Sequence, residues 1–419
     1  MDTSKKIDIY RNTLLGLLVL VTVTLFGVNH RYAGVGILVL LMIGLFMWKY
    51  PKPYLVAEVS GLKKLTIFSF IAYPAFVFIS LLIHQQWSIF DNELDNPLRF
   101  VYVIPIFLLL SKIKLDERWV ITAFSFGAIA IGINSILSFT GGRVGLSYGN
   151  PISMGNVATA LAVISLIVGI GSPKFHFGWR FISFVALLLG VSASLLSGTK
   201  GGWISLFMVA MYGLYVWRAT YLKKVAVVGL ALFTLFIFDG VMKNLPSSRL
   251  VIFKQNIECF VEDPRSQCGM GSFGVRVWMN LAGVNNFLNH PIIGSGLDST
   301  IATLDQAKKD DLIPSNVSSF NHLHNDLVEI ISQMGLVGFV GYAFLFGGFS
   351  WVSVKLRKLS NDENPWAVAT LMNTVLFLEF GVTQATLTHA STITYFAFSN
   401  AILIGMAFRH VAQDEKFLV

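Results

Sequence analysis

Phe320-Asn321-His322-Leu323-His324-Asn325-Asp326 brings two imidazoles to the start of a long apolar run that begins near Leu327. Ionisable groups at the lip of a membrane helix are costly unless they serve a purpose. Histidine titrates near neutral pH, which suits a general base taking a proton from a hydroxyl group. His322 and His324 are expected to face different ways, so that one, His324, does chemistry while the other supports the structure. Asp326 and Glu329 are spaced as a capping box for the helix that follows. A lone histidine is more often part of a satisfied core or surface than a catalyst, so the rest of the chain must decide.

The second set of chemical residues is basic. Arg99 follows Asp95-Asn96-Pro97, which reads as a helix start with a polar cap and Pro in the first turn. Arg143 precedes Gly149-Asn150-Pro151, where Asn150 can cap a helix. Lys200 sits in Ser197-Gly198-Thr199-Lys200-Gly201-Gly202, whose glycines would let backbone approach a ligand. A helix N-terminus beside a cation is a good anion site. Singly, each residue reads as a snorkelling or ion-paired side chain, and Asp91, Glu93 and Asp95 could serve Arg99. Together they point to one shared anion site.

The elements that must position these groups are apolar. Of 419 residues, 54% are hydrophobic and 13% charged, a balance foreign to soluble domains. Twelve runs have roughly the length that crosses a bilayer: about 12–28, 32–48, 65–85, 98–111, 119–138, 152–171, 179–197, 201–217, 223–242, 327–349, 366–384 and 391–408. They lack the alternation of β-barrel strands. The expected fold is therefore all-α and polytopic, with about twelve transmembrane helices and one large loop between the ninth and tenth. It divides into 1–242 (helices one to nine), 243–326 (the loop) and 327–419 (helices ten to twelve and a tail). The first run lacks a small-residue cleavage site and reads as a retained helix.

Basic residues set the orientation. Twenty of the 31 Lys and Arg fall at the N-terminus, the C-terminus and alternate short loops, whereas the opposite short loops hold only Arg31, Arg99, Arg143 and Lys200. The positive-inside rule then puts both termini in the cytoplasm and the long loop outside. The net charge of +8 is mostly this topology signal, not a nucleic-acid footprint.

Within the loop, Val277, Leu281, Val284 and Leu288 recur at helical spacing, which predicts an amphipathic helix over 274–289 lying on the membrane or on other helices. Arg276 stands one position off that stripe; by itself it reads as part of a solvated face. Cys259 and Cys268 both fall outside, where a disulfide is permitted. Two unpaired thiols are the other reading, but the twelve apolar runs use no cysteine, which favours the bridge. Two cysteines do not complete a zinc shell. No metal or cofactor is expected: there is no outside Asp-x-Asp pair for a metal-bound sugar nucleotide and no Walker-type loop.

In their order along the chain, Asn96-Pro97-Leu98-Arg99, Gly149-Asn150-Pro151, Thr199-Lys200-Gly201, Arg276-Val-Trp, Pro291-x-x-Gly-x-Gly296 and His322-x-His324-Asn325 with Glu329 and Gly335 resemble the O-antigen ligase and polymerase superfamily of bacterial envelope glycosyltransferases. At Lys200 relatives commonly carry Arg, whose fork grips phosphate oxygens in pairs where Lys offers a point charge. The resemblance implies an inner-membrane enzyme working at its periplasmic face on a polysaccharide carried by undecaprenyl pyrophosphate. The acceptor is the lipid A core for a ligase, or another lipid-linked repeat for a polymerase. It also implies roles: Arg99, Lys200 and Arg276, with Arg143 nearby, would hold the pyrophosphate, and His324, supported by His322, would deprotonate the acceptor. Transfer would invert the anomeric centre without metal. The large loop before the His-x-His-Asn helix and the chain length look more like a ligase. A transporter or flippase is the runner-up from another class; it would show ionisable residues in mid-membrane and helix breaks.

Overall fold

A computed structural model describes residues 3–47, 57–198, 249–317, 320–360 and 364–412. Every regular element among them is helical. The first group is α1 (Thr3–Val28), α2 (His30–Phe46), α3 (Ala57–Ile83), α4 (Phe90–Tyr102), α5 (Ile104–Leu110), α6 (Glu117–Leu137), α7 (Pro151–Gly171) and α8 (Phe177–Ser197). Then come α9 (Arg249–Glu262), α10 (Ser272–Asn289) and α11 (Thr300–Lys309), followed by α12 (Asp326–Leu359), α13 (Pro365–Thr383) and α14 (Ala390–Val411).

Eight described helices are long and apolar enough to cross a membrane: α1, α3, α6, α7, α8, α12, α13 and α14. The count of twelve is therefore matched only in part. α2 is apolar but shorter, at 17 residues. The expected fourth span, 98–111, is not one helix: α4 begins at Phe90 and ends at Tyr102, and α5 restarts at Ile104. The expected spans 201–217 and 223–242 lie outside the described residues.

Of the described spans, α7 and α14 are the most enclosed. Stacked Phe346, Phe396 and Phe377 join α12, α14 and α13, with ring centroids 5.3 and 4.4 Å apart. Small residues let backbones meet, as in many membrane bundles: a Cβ on Gly190 of α8 would fall 2.7 Å from Ala162 Cβ of α7. The outer faces of α1, α2 and α8 expose Leu14, Leu17, Leu38, Phe181 and Leu188, as lipid contact requires. The chain is a multi-pass membrane protein.

Between α8 and α12 the described loop residues fold into a small helical unit with its own core, built from Met279, Ala282, Leu304, Ala307, Ile313, Val317 and Leu323. Cys259 and Cys268 are joined by a disulfide, with Cα atoms 5.5 Å apart, that ties the end of α9 to the approach to α10. α10 covers 272–289, close to the expected bounds. It buries Gly274, Met279, Ala282 and Gly283, with Gly283 against Val328 of α12, and not the apolar stripe. Leu281, Val284 and Leu288 stay exposed, a face suited to the membrane surface.

α12 is not one straight rod. Gly335 takes φ 61° and ψ −151°, outside helical space, so a first segment of nine residues precedes the long span. The cause is the loop 291–296. Leu336 and Val337 N–H donate to Pro291 and Ile292 carbonyls at 2.9 and 3.1 Å, while Gly296 N–H donates to the Gln333 carbonyl at 2.9 Å. The two backbones lie so close that a Cβ on Gly294 (φ 70°) would sit 2.2 Å from Gln333 C, and one on Gly335 2.5 Å from Ile292 C. Pro291-x-x-Gly-x-Gly296 and Gly335 are thus two halves of one interlock.

Candidate functional site

The first segment of α12 is held by its polar residues, though not in the expected way. The capping box is absent: Asn325 is the N-cap, its side chain accepting from Val328 N–H at 3.2 Å. Asp326, which is buried, accepts from the Thr386 hydroxyl and from Leu387 N–H at 3.1 Å. Glu329, also buried, accepts from the Thr300 hydroxyl at 2.6 Å, from Gln333 Nε2 at 2.7 Å and from Leu323 N–H. One carboxylate thereby anchors the α13–α14 connection and the other anchors α11, with the histidines between them.

His322 and His324 do not diverge. Their rings meet edge to face, centroids 4.1 Å apart. Leu323 between them turns into the core under α10 and α11. His324 adopts φ 57°, a left-handed conformation that histidine tolerates better than most side chains. The expectation of two separate faces is corrected accordingly.

A third imidazole completes the group. His389 lies 5.4 Å from His322, ring to ring. Gln384, fully buried, accepts from His324 Nδ1 at 2.8 Å, and its amide nitrogen faces His389 Nε2 at 2.5 Å. With the amide so oriented, His324 carries its proton on Nδ1 and keeps Nε2 free as an acceptor. Burial, then the neighbouring His322, pushes the His324 pKa down to about 4. Burial and His322 likewise take His389 to about 4, and burial lowers His322. All three are neutral at pH 7. Gln384 and His389 escaped the sequence reading; their only local signal is a polar stretch between the last two apolar runs.

The cations fall into three groups. Arg276 of α10 is near enough to depress both His322 and His324 electrostatically. It makes no hydrogen bond among the described residues, and burial lowers its own pKa. Arg99 is otherwise employed: it pairs with Asp95 at 2.7 Å and donates to the Ala390 carbonyl and Thr394 hydroxyl at 2.6 and 2.5 Å. Its expected helix start is overturned, because α4 runs through Pro97 and Arg99 stands in the last turn. Asn96, the expected cap, instead donates to the Thr388 carbonyl at 2.7 Å. Arg143 donates to the Ser197 carbonyl at 2.8 Å, at the corner leading to Lys200. Lys200 itself lies outside the described residues. Asn150 does cap α7, accepting from Ile152 N–H at 2.9 Å.

A cavity of about 220 Å³ opens beside the histidines. His322 and His389 form part of its wall, with Glu93, Asp298, Asp326 and Glu329. Among the described residues its lining contains no Lys or Arg. The Arg276 guanidinium thus acts on His322 and His324, while His322 and His389 border an acidic chamber. Such an arrangement can take a proton at His324 Nε2, steady negative charge near Arg276 and bind hydroxyl groups in the cavity.

Residues 184–343 match a protein-family model described as O-antigen ligase. An uncharacterized protein of Haemophilus influenzae is 25% identical over 412 residues, covering 95% of this chain and 98% of its own length.

Proposed function

With membership of the O-antigen ligase/polymerase superfamily as premise, supported by the match over 184–343, we propose that the protein is an O-antigen ligase. It would transfer a polysaccharide from undecaprenyl pyrophosphate to the lipid A core at the periplasmic face of the inner membrane. The observation that carries this reading is the His324 group: an imidazole whose Nδ1 is held by Gln384, leaving Nε2 free, beside the guanidinium of Arg276.

In the reaction, the acceptor hydroxyl oxygen attacks the anomeric carbon while its proton passes to His324 Nε2. The bond from that carbon to the pyrophosphate oxygen breaks, and undecaprenyl pyrophosphate leaves with the electron pair. Attack opposite the leaving group inverts the anomeric centre. Charge grows on the pyrophosphate, and Arg276 is the cation best placed to steady it, since a preorganised charge counts most in a site shielded from water. Arg99, Arg143 and Lys200 are assigned to the same pyrophosphate; for Arg99 this requires exchange of Asp95 together with the Ala390 carbonyl and the Thr394 hydroxyl. Proton and charge are both handled by side chains, so the reading requires no metal.

A strain deleted for the gene, complemented with wild type or with His324→Ala, tests this through lipopolysaccharide banding. Loss of a general base costs about a hundred- to ten-thousand-fold, so the variant should leave polymerised O-antigen on its lipid carrier and the core bare. A deletion that instead yields core capped with a single repeat would make the protein a polymerase.

A further inference from the structure

The cavity next to the histidines has a chemistry of its own. Its volume of about 220 Å³ equals roughly seven waters at about 30 Å³ each, which is room for one sugar ring. Glu93 and Asp298 line it together with Asn96 and Thr388. The Glu93 carboxylate makes no hydrogen bond among the described residues. Burial, and next the nearby Asp298, pushes its pKa up.

An independent observation points the same way. Tyr73 of α3 also lines the cavity and is only 6% exposed. Its hydroxyl finds no hydrogen-bond partner among the described residues. The oxygen is not among the fully buried polar atoms, so it faces the cavity and can give or accept a hydrogen bond with a hydroxyl-bearing ligand there. Carboxylate, amide and phenol groups together suit sugar hydroxyls, which both donate and accept. Phosphate oxygens only accept, and a phosphate brought beside Glu93 and Asp298 adds negative charge where like charge is already disfavoured, as the upward push on Glu93 shows.

We propose that this cavity is the subsite for an uncharged sugar ring of the acceptor saccharide, and that Glu93 and Asp298 turn phosphorylated rings away. The proposal rests on the glycosyl-transfer reading above. It divides the site by charge: Arg276 serves the leaving pyrophosphate on one side of the histidines, and the carboxylates serve a neutral acceptor on the other.

The test uses full-length enzyme in lipid nanodiscs, as wild type, Tyr73→Phe and Glu93→Gln. Lipid-linked donor is held at saturation while core oligosaccharide acceptors are titrated, with a terminal ring either neutral or phosphorylated. Tyr73→Phe should raise the neutral acceptor KM about tenfold, the worth of one hydrogen bond, with donor KM and Tm unchanged. Glu93→Gln should narrow the gap between neutral and phosphorylated acceptors. A rise in donor KM alone, or no change in either KM, overturns the subsite. Should the wild type extend lipid-linked repeats and ignore core acceptors, the ligase reading falls; the same variants titrated with neutral repeat acceptors then support the subsite by the same tenfold rise and overturn it by its absence.

Discussion

Gln384→Glu isolates the tautomer argument because it keeps shape and changes charge. In the wild type, His324 titrates at about 4, held down chiefly by burial, with the neutral Gln384 amide giving a modest upward pull through its 2.8 Å contact. A carboxylate at that place favours the imidazolium, and an opposite charge at such a distance moves a pKa by about 1–3 units. His324 would then titrate between about 5 and 7, each unit being worth about 1.36 kcal/mol. A base must be unprotonated to act, so activity falls as pH drops through this value. The acid limb of kcat/KM, which reports the free enzyme, should move up by the same amount. For a central shift of about two units, the variant at pH 5 should keep roughly a tenth of wild-type activity, while the two converge by pH 8. The assay is transfer of lipid-linked donor to core acceptor in nanodiscs from pH 4.5 to 8.5. An unmoved limb, or one displaced to lower pH, would refute His324 as a base oriented by Gln384.

His322→Ala should reduce kcat less than His324→Ala, since Gln384 holds His324 and not His322; equal losses in single-turnover rates would make the pair one functional unit. Gly294→Ala sets a Cβ 2.2 Å from Gln333 C at φ 70°, strain of order 1–3 kcal/mol. It should lower Tm and disorder the histidine segment, and an unchanged Tm with full activity would contradict the interlock. Removing the disulfide by Cys259→Ser frees a loop with a sequence separation of 9, worth about 2.5 kcal/mol in chain entropy. Thermal unfolding should fall to the level of enzyme treated with reductant, and two different midpoints would count against that account. For orientation, a cysteine engineered near Asp305 should react with an impermeant reagent from outside and one near Leu359 should not; the reverse pattern inverts the topology.

Features with short-range causes could be read from the sequence. Apolar runs of membrane length follow from the requirement that every backbone polar group in lipid be bonded within its own helix, and the spans of α6, α7, α8, α13 and α14 lie close to the expected runs. The amphipathic α10 and the Asn150 cap follow from local periodicity and local hydrogen bonding. His322-x-His324-Asn325 could be recognised as chemical in kind. The same local rules misplaced the Arg99 helix start, because α4 continues through Pro97. They also missed the break at Gly335, which a loop some forty residues upstream imposes by exchanging backbone hydrogen bonds with α12. The site itself is tertiary. Gln384 reaches His324 across a sequence separation of 60, and Asp326 fixes the segment that carries Gln384 and His389 across the same distance. Among the described residues, the basic face read along the chain became the Arg276 guanidinium near the histidines and an acidic cavity bordered by His322 and His389. Residue type and spacing determine which chemistry a chain can hold; which groups meet, and what stays neutral there, depends on burial and on partners that only the packed helices bring together.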